Sequence, residues 1–137
     1  MNTARKILII TNNSRVVEKF NYATEVLVAD TYEGVLLAAR DYVHRGYLLV
    51  THPLAGSLKP NQTPFRTIFL ERTADGKLDI SSVLMMESAI ETFQKFMEIK
   101  PCPQYNAKVK EDFKTVDLSL AENAIAGKNF FTGMLSR

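Results

Sequence analysis

The loop "THPLAGSLKPNQTP", Thr51 to Pro64, gathers the side chains of this chain best suited to holding a ligand. Gly56 permits close backbone approach, Ser57 supplies a hydroxyl and Lys59 a positive point charge. Asn61 and Thr63 add further hydrogen-bonding groups, and His52 follows the preceding apolar run directly, as a side chain able to titrate near neutrality. This chemistry suits a small anion. A second polar segment, Thr11-Asn12-Asn13-Ser14, offers backbone N–H groups at the start of a helix, where an anion is also favoured.

Each residue also has a structural reading. Asn12 and Asn13 are good helix caps, Ser57 and Asn61 can satisfy turns, and Lys59 can be a solvated surface lysine. Gly56-Ser57-Leu58-Lys59 lacks the spacing of a Walker A loop, and no G-x-G-x-x-G follows the first apolar run. Ser57 and His52 could pair as nucleophile and base, but no acid is placed to orient the imidazole. Two histidines and one cysteine are too few for a zinc site. His44 suits a helix C-terminus, Glu87 and Glu91 a solvated helix face, and Cys102 has no partner cysteine. The set reads as a binding site without a catalytic constellation, a cofactor or a metal.

The elements that must position these residues alternate. Ile7 to Ile10 is a continuous apolar run, as in a strand covered on both faces, and Val26 to Ala29 and Leu48 to Val50 read likewise. Between them, Val16, Val17 and Phe20 mark a short helix. Thr31 caps a second helix carrying Val35, Leu36, Ala39 and Val43, which Gly46 ends. Ile68 to Leu70 is a fourth strand, whose direction is open because the connection before it has no helical period. Asp79 opens the longest helix, with Val83, Met86, Ile90, Phe93 and Met97 on one stripe, and Pro101 and Pro103 stop it.

This order predicts an α/β fold, a three-layer α-β-α arrangement around a small, mostly parallel sheet of about four strands, plus a C-terminal helical tail. Residues 1–100 are read as the α/β domain. Residues 101–137 are read as a linker and a tail that packs on the domain or on a partner. With the first and third strands adjacent in a 2-1-3 order, the two polar segments meet in the crevice beyond the carboxyl ends of the strands. In the tail, Ser119-Leu-Ala-Glu122 has capping-box spacing, Gly127 can end the helix it starts, and Phe130, Phe131, Met134 and Leu135 are apolar.

Composition excludes other classes. The 137 residues carry a net charge of only +2, without a basic stripe interleaved with aromatics, so no nucleic-acid partner is expected. The opening apolar run is too short for a signal peptide or a membrane span, so no membrane partner is expected and the chain is read as cytoplasmic.

The segments "LLVTHPLAGSLKPNQTPFRTIFL", "KILIITNN" and "MMESAIETFQKF" resemble the GrdX family, over roughly residues 6 to 98. These are small proteins encoded beside the glycine, sarcosine and betaine reductase genes of amino-acid-fermenting anaerobes. The resemblance implies an accessory or regulatory role near a selenium- and thiol-dependent reductase that yields acetyl phosphate, itself a small anion. It carries no established activity and no assigned catalytic residue. Two roles are therefore expected, ahead of a small phosphotransferase or hydrolase using His52, which lacks an orienting acid or a metal site. One is a small-anion binder using Asn12, Asn13, His52, Gly56, Ser57, Lys59, Asn61 and Thr63. The other is an adaptor whose loop and apolar tail contact a reductase subunit or a second copy in a homodimer.

Overall fold

The structure is a computed structural model and describes residues 7–20, 25–54 and 58–126. The chain forms β1 (Ile7–Thr11), α1 (Ser14–Lys19), β2 (Glu25–Val28), α2 (Tyr32–His44), β3 (Tyr47–Leu49), β4 (Thr67–Arg72), α3 (Ile80–Ile99) and α4 (Ala107–Ala126). Local chemistry accounts for the helix starts. The side chains of Asn13, Thr31 and Asp79 accept from the backbone N–H of Arg15, Gly34 and Ser82 respectively, satisfying first-turn donors. Gly46 leaves α2 at a φ of 96°, where its missing Cβ also lets the Gly76 carbonyl approach.

The sheet order is β2-β1-β4-β3. β1 pairs with β2 in parallel, while β4 runs antiparallel to both β1 and β3. The sheet is mixed, which corrects the expectation of a mostly parallel one and of adjacent first and third strands. The physical reason lies in the link from Val50 to Arg66. Its described residues form no helix, and a parallel return needs a crossover that usually is one. The chain turns back instead, and β4 inserts between β1 and β3. The carboxyl ends of β1, β2 and β3 still share one edge with the amino end of β4.

Alternation along β1 and β4 sends side chains to two cores. Leu8, Ile10, Ile68 and Leu70 pack with Val35, Leu36 and Val43 of α2 and Met86 and Phe93 of α3. Ile7, Ile9 and Phe69 pack with Val16, Phe20, Ala121 and Ile125, from α1, its C-cap and α4. The last helix differs from the expectation. It starts at Ala107 and runs unbroken through Ser119-Leu-Ala-Glu122, capped by Asn106, whose side chain accepts from the Val109 N–H at 2.9 Å. Gly127, Phe130, Phe131, Met134 and Leu135 lie outside the described residues. Among the described residues, no helix is long and apolar enough to cross a membrane.

Candidate functional site

At the carboxyl edge of β1 and β2 a cleft of about 540 Å³ opens. That size falls within the range of small-molecule sites. Several stretches of chain line it. Asn12 follows β1, and Asp30, Thr31, Tyr32 and Glu33 form the approach to α2 and its first turn. Thr63, Pro64 and Phe65 precede β4, and Phe93 and Met97 come from the last turns of α3. The far wall is Cys102, Pro103 and Gln104, with Lys110 from α4. Tyr32 and Phe93 stack with ring centres 5.3 Å apart, giving the cleft a rigid aromatic side. Asp30 and Glu33 carry negative charge into it, Lys110 positive.

Asn12 positions the segment before β4 and is already engaged. Its Nδ2 donates to the Pro64 carbonyl at 2.8 Å, and its Oδ1 accepts from the Arg66 N–H at 2.9 Å. Thr63 Oγ1 accepts from the Phe65 N–H at 3.2 Å, making a side-chain turn. Among the described residues of the expected set, Asn12 and Thr63 line the cleft.

The other described residues of that set lie elsewhere. Asn13 is buried on the other side of the sheet, where its Nδ2 donates to Asp117 Oδ2 and to the Lys114 carbonyl, each at 2.9 Å. His52 is exposed, its Nδ1 accepts from the Leu54 N–H at 3.0 Å, and it lines a separate groove with Leu84, Met85 and Ser88. Lys59 and Asn61 line a third groove with Phe96, Lys100 and Tyr105. Asn61 closes the end of α3, donating to the carbonyls of Phe96 at 3.2 Å and Lys100 at 2.9 Å. Its Oδ1 is buried without a donor among the described residues. Gly56 and Ser57 lie outside the described residues.

Behind the cleft sits a buried polar cluster that sequence reasoning missed. The Thr11 and Thr67 hydroxyls bond at 2.8 Å, and Thr67 Oγ1 donates to Asp117 Oδ2 at 2.7 Å. Asp117 is only 3% exposed. Arg66 is also buried, with its Nε donating to the Thr67 carbonyl. Burial pushes the Tyr32 phenol above its ordinary pKa; the neighbouring Arg66 charge and hydrogen bond pull it back, and the Asp117 charge adds to the rise. One signal for Asp117 was in the sequence: it shares an i, i+4, i+8 stripe with Ala121 and Ile125, and an acid on an apolar stripe needs partners. Arg66, immediately before an apolar strand, is a similar anomaly. Cys102 is half-buried, and burial pushes its thiol up, away from the reactive thiolate. Among the described residues, no group of three or more His, Cys, Asp or Glu could hold a metal ion.

Fold and cleft together define a small mixed α/β protein with an open, aromatic-walled cleft at the strand edge. The family model described as GrdX-like protein matches residues 8–126, so the chain belongs to that family. The match reaches to the last described residue of α4, further than the sequence resemblance did. No curated protein and no solved structure matches the chain.

Proposed function

We propose that this chain is a cytoplasmic accessory protein of glycine, sarcosine or betaine reductase systems that binds a small, anion-bearing metabolite in the strand-edge cleft. Membership of the GrdX-like family supports the link to the reductases. The observation that carries the binding reading is the cleft's lining: aromatic walls, one lysine, and the opening turn of a 13-residue helix. Lys110 and the first N–H groups of α2 would receive a carboxylate or phosphate. Asp30 and Glu33 oppose a purely anionic ligand and favour one that also carries an ammonium group. The role assigned is binding, without a catalytic step.

A thermal-shift screen tests this, with phosphate, acetyl phosphate, glycine, sarcosine, betaine and small thiols as probes. A ligand at a hundred times its dissociation constant stabilises by about 2.7 kcal/mol. That corresponds to a rise of several degrees in a domain of this size. The shift should vanish in Lys110→Ala and survive in Lys59→Ala, whose side chain borders another groove. The reverse pattern would move the site to the Lys59 groove. No shift with any probe would remove the binding reading.

The second reading, an adaptor, has its own observation. Ile80 and Leu84, one turn apart on α3, are 61% and 65% exposed, and Leu84 lies beside His52. An adaptor would use this surface together with the apolar residues after Gly127 to contact a reductase subunit or a second copy. Leu84→Glu, or deletion after Gly127, should then abolish association seen by size-exclusion chromatography and leave small-molecule binding intact.

A further inference from the structure

Helix α4 changes character at Asp117. From there on it is anchored: Asp117, Ala121 and Ile125 are each 3% exposed or less. Before it, no residue from Ala107 to Val116 is buried. Apart from the Lys114 carbonyl, which accepts from the buried Asn13 Nδ2 at 2.9 Å one turn before Asp117, that first half is held by surface contacts. Glu111 bonds Arg15 at 2.9 Å and Lys114 at 3.1 Å, and Lys114 Nζ donates to Ser14 Oγ at 3.1 Å. Tyr105 packs on Phe113 with ring centres 4.7 Å apart and donates to the Gln62 carbonyl at 2.8 Å. Yet this lightly held stretch, with the segment before it, supplies a wall of the cleft through Cys102, Pro103, Gln104 and Lys110. Firm anchors bound it on both sides: Asn61 on the Lys100 carbonyl, and Asp117 in its buried cluster.

We infer that residues 101–116 form a lid on the cleft, fastened by the Glu111 charge cluster and able to open by unwinding α4 as far as Asp117 while the sheet stays folded. The physical reason is the distribution of burial. Segments with little buried apolar surface and exposed hydrogen bonds open locally at far lower free energy than the core. The lid's functional meaning, access to the cleft, rests on the binding reading above. Its opening is a property of the ligand-free chain.

Cys102, the single cysteine of the chain, sits half-buried in the lid and reports opening directly. The test measures its rate of reaction with a small aromatic disulfide in the ligand-free, full-length protein. Circular dichroism confirms that each variant is folded. Glu111→Gln should speed labelling about twofold, as expected for loss of exposed pairs. Asn106→Ala, which removes the α4 cap, should speed it roughly fivefold. Salt at about 0.5 M should accelerate the parent more than Glu111→Gln, because screening has less left to remove. Glu122→Gln, which breaks the Lys19 pair on the anchored half, should leave the rate unchanged. The lid is overturned if Glu111→Gln and Asn106→Ala both label at the parent rate, or if Glu122→Gln accelerates labelling equally. Either result leaves the ligand screen untouched, so the two ideas fail separately.

Discussion

The two faces of the sheet are built differently, and the difference explains how the cleft is assembled. The face under α2 and α3 is largely apolar, with large side chains such as Leu36, Met86 and Phe93 meeting Leu8, Ile10, Ile68 and Leu70, and the buried Ser82 hydroxyl accepting from the Leu49 N–H. The face under α1 and α4 has a thinner apolar core, with Ala121 and Ile125 as the buried apolar residues of α4. Towards the cleft edge it becomes polar, through Thr11, Thr67, Asn13 and Asp117. Apolar contact is non-directional, so on this face position is selected by few directional contacts, chiefly the Ser82 bond to β3. Hydrogen bonds to a buried carboxylate are directional, and α4 can satisfy them in one register only. One face supplies stability, and the other supplies placement of the wall that carries Lys110.

The largest effect should come from the apolar face. Met86→Ala, at a fully buried site, is expected to cost about 2–5 kcal/mol in urea unfolding. A loss below about 1 kcal/mol would break the contrast between the faces. Next comes Asp117→Ala, which leaves Thr67 and Asn13 with buried donors unsatisfied, at roughly 2–3 kcal/mol. Asp117→Asn keeps an acceptor and should lose less. Hydrogen exchange sharpens the point: in Asp117→Ala the accelerated amides should lie in α4, with α2 and α3 protected as in the parent.

Tyr32 bridges the two regions and gives a pH signature. Folding raises its pKa above the usual 10.0, chiefly through burial, so the native state binds this proton more tightly than the unfolded chain does. The corresponding stability is intact below pH 10 and is lost as pH climbs through the raised folded value. Tyr32→Phe should flatten that alkaline loss and cost about 1 kcal/mol at neutral pH for the Arg66 hydrogen bond. Equal alkaline slopes in parent and variant would assign the loss to other groups. The smallest effect belongs to the surface. Glu122→Gln breaks a 3.6 Å pair with Lys19 between exposed side chains and should change stability by less than about 0.5 kcal/mol.

How far the site could be read from the sequence depends on the range of the interaction. The cleft lies at the strand edge, where an α/β pattern leads one to look, and Asn12 and Thr63 line it. His52 and Lys59 are close to Thr63 in sequence but border other grooves, because the prolines and side-chain turns of the loop fan its residues apart. Tyr32 and Phe93 were legible only as core positions of their helices. Their stacking at the cleft wall follows from the packing of α2 on α3.

The sequence by itself determined the strands and the first three helices. Apolar runs marked all four strands, and Asn13, Thr31 and Asp79 marked three helix starts, because periodicity and capping act over a few covalently spaced residues. Only the tertiary structure decided the strand order, the unbroken course of α4 and the polar cluster behind the cleft. These join residues such as Thr67 and Asp117, 50 positions apart, or Asn13 and Asp117, 104 apart. No local pattern encodes such a pairing: its free energy appears only once the chain between the partners has folded and brought them together.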